Sequence, residues 1–169
     1  MLLSLTSIPI ADWSNYLAVQ ASVSATLTGL VFVAVSINLS RVLAIAGLPG
    51  RAAESLLHFL GALLLSMTAL IPSQTAVMLG TEVIALASVL WLLQTMIQIR
   101  YIRMRTGNPR SWLLIRIVQT QAVTLPFIAA GVLLAQGSQS GIYWLVPGFL
   151  LSLISGVIEA WVLLVEILR

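Results

Sequence analysis

The chain has 169 residues, of which 60% are hydrophobic and only 8% charged. A soluble domain is typically about 25% charged, so this chain has too few polar groups to cover a globule in water, and lipid must be its solvent. The net charge of +3 does not indicate nucleic-acid binding, because the cations flank apolar stretches and membrane topology accounts for them. The absence of cysteine excludes disulfides, zinc–thiolate sites and thiol catalysis.

Residues 1–12 carry no Lys or Arg and so lack the positive n-region of a secretory signal peptide. Their apolar members (Leu2, Leu3, Leu5, Ile8 and Ile10) suit a short interfacial tail ahead of an uncleaved first helix. A bilayer core of about 30 Å requires about 20 helical residues. Five segments meet that length, over about 16–39, 52–71, 81–104, 113–135 and 143–168. No stretch between them resembles an interdomain linker, so residues 1–169 read as a single membrane domain.

The breaks between spans have turn chemistry. Gly47-Leu48-Pro49-Gly50 separates the first two spans and Pro72-Ser73-Gln74 follows the second. Gly80-Thr81-Glu82 opens the third, with Thr81 as its cap and Glu82 suited to the positive helix end. Gly107-Asn108-Pro109 and Gly137-Ser138-Gln139-Ser140-Gly141 separate the remaining spans. The alternative is that spans 2 and 3 form one broken or re-entrant unit around Pro72 and Ala76-Val77-Met78-Leu79.

All eight cations are arginine: Arg41, Arg51, Arg100, Arg103, Arg105, Arg110, Arg116 and Arg169. They fall in the 1–2 connection, in and around the 3–4 connection, and at the C-terminus. The tail, the 2–3 connection and the 4–5 connection carry none. Positive charge near span ends is retained in the cytoplasm. The expected fold is therefore an all-α bundle of five transmembrane helices, N-terminus outside and C-terminus cytoplasmic. A bacterial inner membrane suits this disulfide-free chain. Trp13, Tyr16, Tyr143 and Trp144 fall at the outer boundary and Tyr101 and Trp112 at the inner one, as interfacial belts do. The basic face also suits anionic lipid headgroups.

Glu159 is the sharpest functional candidate. It lies ten residues before Arg169, about 15 Å into the membrane, among apolar neighbours. A central carboxylate costs about 2.5–3.5 kcal/mol on insertion scales and usually faces the bundle interior. It reads either as an ion or proton site, or as a protonated or hydrogen-bonded carboxyl that fixes packing. His58 is the sole histidine. Arg51, Glu54 and His58 share a helical face, and Glu54 can pair with His58 at i+4. That pair is either a titratable element or a local salt bridge, and one histidine without a companion makes no metal site. Asn38, His58, Gln94, Gln98, Gln119, Gln121 and Glu159 all fall in the inner half. They form either inter-helix glue or a hydrated vestibule.

Span 1 is rich in small polar residues, with Ser22, Ser24, Thr26, Thr28 and Ser36. Ser22, Thr26 and Gly29, with Ala18 and Ala25, form a small-residue stripe at spacings of three and four. Small residues let helix backbones approach closely, so the stripe reads as a packing face, within the bundle or between protomers, with a pore lining as the alternative. No phosphate loop, His-Glu-x-x-His or Gly-x-Ser-x-Gly motif is present. The only aspartate is Asp12, which leaves no aspartate pair for intramembrane proteolysis.

Two stretches carry a resemblance. They are Leu27-Thr28-Gly29-Leu30-Val31-Phe32-Val33-Ala34-Val35-Ser36-Ile37-Asn38, and Arg51-Ala52-Ala53-Glu54 through Leu70-Ile71-Pro72-Ser73-Gln74. Together they resemble uncharacterised bacterial multi-pass membrane proteins, some labelled modulators of the FtsH-type membrane protease. The resemblance covers about the first half of the chain and implies a membrane protease as partner. The residues themselves lead to a non-enzymatic, cofactor-free interaction or regulatory protein that self-associates. The alternative is an oligomeric ion channel or small-ion transporter lined by span 1 and Glu159.

Overall fold

The computed structural model describes the backbone of residues 10–104 and 110–168, and the side chains of 13–100 and 115–167. Six helices follow in order: α1 (Ile10–Ile37), α2 (Leu39–Ala44), α3 (Leu48–Ala69), α4 (Ala76–Met104), α5 (Arg110–Ala135) and α6 (Gly141–Leu168). All but α2 are long and apolar enough to cross a membrane, which gives five candidate spans among the described residues. By length and composition this is a multi-pass helical membrane protein, since a helix satisfies its own backbone in lipid.

The helices outrun the apolar windows by about a turn at several ends. The second span starts at Leu48 rather than 52, with Pro49 in its first turn, where its missing N–H is harmless. Arg51 is thereby helical, not part of a connection. The third span starts at Ala76 rather than 81, and its cap is Thr75, whose Oγ1 accepts from Met78 N at 3.2 Å. The expected cap, Thr81, lies inside the helix and donates to Met78 O at 2.8 Å. The break falls at residues 70–75, where Ser73 takes φ 61°. Spans 2 and 3 are two separate helices, each long and apolar enough to cross a membrane.

Gly80 does not break α4 because it serves a contact. A Cβ there would lie 2.3 Å from Ala135 N and 2.7 Å from Gly131 O, so α4 and α5 cross backbone to backbone. Four helices, α3 to α6, form a ring in which each packs on its two neighbours, and α1 packs on α3 from outside. The main core joins Ala62, Leu65, Val83, Phe127, Leu134 and Phe149. A smaller cluster of Val42, Leu48, Ala52, Leu163 and Ile167 lies under α2.

The two ends of the bundle differ. At one end Trp13 meets Tyr143 edge-on, with ring centroids 5.0 Å apart, and Tyr16 follows at 5.9 Å. At the other end Arg41, on α2, donates from Nη1 to Ile167 O at 2.8 Å, where a cation suits the helix C-terminus. Arg51, Arg100 and Arg116 also lie toward this end. Trp144, next to Tyr143, is exposed, whereas the side chains of Tyr101, Arg103, Arg105, Arg110, Trp112, Arg169 and residues 1–12 lie outside those described.

Candidate functional site

Three ring helices converge on a buried cluster of charge. Arg116 enters from α5, Glu54 and Arg51 from α3, and Glu159 from α6. The Arg116 guanidinium pairs with the Glu54 carboxylate through Nη2 and Oε2. The same Nη2 lies 3.7 Å from Glu159 Oε2, and Arg51 Nη1 lies 3.8 Å from that oxygen. Glu54, Glu159 and Arg116 are 3%, 6% and 7% exposed. Two arginines face two glutamates, so the cluster is formally neutral. That balance allows four ionisable groups to sit deep in a membrane bundle, where each alone would be costly.

The cluster has helical logic on each element. On α5, Arg116 lies on one face with buried Thr120, Val123, Phe127, Ala130 and Leu134, at spacings of three and four. On α6, Glu159 continues the line of Phe149, Ser152 and Gly156. A Cβ on Gly156 would lie 2.6 Å from the Phe59 ring, so this glycine draws α6 onto α3. Ser55 Oγ donates to Gly156 O at 3.0 Å and fixes the same approach.

His58 does not pair with Glu54. Its Nδ1 lies 3.3 Å from Gln94 Nε2 on α4, and its backbone carbonyl accepts from Ser152 Oγ at 2.7 Å. The expected i, i+4 pair loses because Arg116 brings Glu54 a full opposite charge from across the bundle. Gln98 Nε2 donates to Thr120 Oγ1 at 2.6 Å, joining α4 to α5. Every neighbouring pair in the ring is thus bridged: α3–α4 by His58 and Gln94, α4–α5 by Gln98 and Thr120, α5–α6 by Arg116 and Glu159, and α6–α3 by Ser152, Ser55 and Arg51.

A cavity of about 20 Å³ lies among His58, Gln94, Thr124 and Ser152. That is room for about one water, and Gln94 Oε1 is buried there without a hydrogen-bond partner. Gln119 is half-buried beside Thr120, and its Nε2 has no partner. Asn38 stands apart from the layer, because its Nδ2 donates back to Ala34 O at 2.9 Å at the end of α1. Among the described residues no group of three His, Asp or Glu side chains could hold a metal ion.

The stripe on α1 faces away from the bundle. Ser22, Ala25, Thr26 and Gly29 are all exposed, and a Cβ on Gly29 would meet nothing within 4 Å. Ser22 Oγ and Thr26 Oγ1 donate to the carbonyls of Ala18 and Ser22, at 2.9 and 2.8 Å.

The sequence reading missed Arg116, Ser55, Ser152 and Thr120 as members of the polar layer. In the sequence Arg116 reads as one more member of the topological charge pattern. The available signal was its place on the apolar face of α5, about 9 Å inside Arg110 along the helix.

The site and the fold define a class: a multi-pass helical membrane protein with a charge-neutral polar layer inside a four-helix ring. No family model, curated protein or solved structure matches the chain.

Proposed function

We propose that the protein is a non-enzymatic interaction or regulatory subunit of the bacterial inner membrane, self-associating through α1. One observation carries this reading: Ser22, Ala25, Thr26 and Gly29 are exposed together on a helix whose other side packs on α3. The Ser22 and Thr26 hydroxyls already bond to their own helix. What remains is a small, flat surface suited to another backbone rather than to solvent or a solute. A membrane protease, the partner implied by the resemblance, is one candidate for that helix.

The test is Gly29→Leu. Native mass spectrometry in mild detergent should show a multimer for the wild-type protein and monomer for the variant, with unfolding of the monomer unchanged. A wild-type protein that is purely monomeric removes self-association. Affinity capture from native membranes that recovers no reproducible partner removes the wider interaction role.

A second reading is favoured by the geometry of Glu159. Its Oε2 sits near two guanidinium groups at 3.7 and 3.8 Å and has no hydrogen-bond partner. That oxygen keeps open acceptor capacity inside the bundle, which an ion site requires. An ion path would then run through the ring interior, since the α1 stripe faces outward. Ion flux in liposomes that changes on Glu159→Gln supports it, and absent flux across ions, pH and voltage sinks it.

A further inference from the structure

We infer that the groove between α3 and α4 holds one acyl chain of an anionic phospholipid, with the lipid phosphate on Arg100. The groove measures about 420 Å³ and is walled by Leu56, Leu60, Leu93, Met96 and Ile97. On α3 its lining runs from Ala53 to Leu60 and on α4 from Leu93 to Arg100, about 10 Å along each helix. Leu60, Leu93 and Met96 are 38%, 42% and 57% exposed, so the groove opens outward.

The two helices run antiparallel. Arg100 therefore closes the groove at the end where α3 begins, and a Cβ on Gly50 would lie 3.5 Å from Ile97 there. Arg100 is the only charged or polar residue of the lining. It is exposed, and among the described residues no carboxylate pairs with it. An apolar trough ending in one unpaired cation at the arginine end of the bundle matches a phospholipid in shape and in charge. The tail lies along the trough and the phosphate meets the guanidinium. The bilayer is the source of this ligand. The inference does not depend on the α1 contact, which lies on a different helix face.

Native mass spectrometry tests it, with the protein released from micelles doped equally with phosphatidylglycerol and phosphatidylcholine. The wild-type protein should retain phosphatidylglycerol over phosphatidylcholine by about fivefold, the preference one arginine at an anionic surface supplies. Arg100→Gln should bring that ratio to about one, while Arg41→Gln, which removes the same charge outside the groove, leaves it unchanged. Leu60→Trp, which fills the trough, should lower retention of both lipids. Melting in lipid-free detergent checks that each variant is folded. An unchanged ratio in Arg100→Gln overturns the site, as does an equal loss in Arg41→Gln. If Leu60→Trp alters the protomer count but not lipid retention, a second copy fills the groove and the proposal fails.

Discussion

Arg116 carries the largest single contribution that a side-chain deletion would expose. With Glu54 and Glu159 buried around it, Arg116→Met leaves two carboxylates facing Arg51 alone. Loss of one partner from a buried pair costs about 3–5 kcal/mol, and unfolding by SDS titration from mixed micelles should show that loss. The double variant Arg116→Met with Glu54→Leu restores charge balance and should recover most of it. Gln94→Leu removes a neutral hydrogen bond to His58 and should cost only about 0.5–1.5 kcal/mol in the same assay. If Gln94→Leu costs more than Arg116→Met, the charged cluster is not the principal tie. Glu54, His58, Gln94, Gln98 and Glu159 were visible one by one in the sequence. Their partners were not, because an i, i+4 pair within one helix is local while the Glu54–Arg116 pair joins residues that only the tertiary fold brings together.

At the scale of the helix, glycines separate close contacts from open faces. Gly80 and Gly131 let α4 and α5 touch, whereas Gly29 faces open space. Gly80→Ala should destabilise the protein by about 1–3 kcal/mol through overpacking, read from the same unfolding titration. Gly29→Ala in the monomer should carry no such cost and should stabilise α1 by about 0.5–1 kcal/mol. Equal costs at the two positions would contradict the placement of α1 outside the ring. The sequence suggested that Gly80 opens the third span and that Gly29 lies on a packing face. Glycine serves turns and close crossings alike, so composition could not choose. The Gly80 crossing was decided by α5 presenting Gly131 opposite it.

For the whole molecule, the asymmetry of its ends carries the remaining prediction. Arg41, Arg51, Arg100 and Arg116 gather at one end, and Trp13, Tyr16 and Tyr143 at the other. If the arginine end faces the cytoplasm, a cysteine at Ser140 should react with an impermeant maleimide on spheroplasts, and one at Ser40 only after permeabilisation. The chain has no native cysteine to interfere. The reverse labelling pattern would invert the orientation. Both positions are exposed at opposite ends of the bundle, so neither label requires unfolding.

The sequence by itself determined five apolar spans and the places of Glu159 and His58 along two of them. Those properties depend on local composition and on a helix rise that holds in any membrane helix. Tertiary structure alone decided that α1 lies outside the ring, that Glu54 takes Arg116 instead of His58, and that two arginines neutralise two glutamates. Each of those outcomes depends on which helix faces are turned toward one another. Apolar spans that are greasy on every side do not encode that choice in their periodicity; close glycine crossings and opposite charges select it.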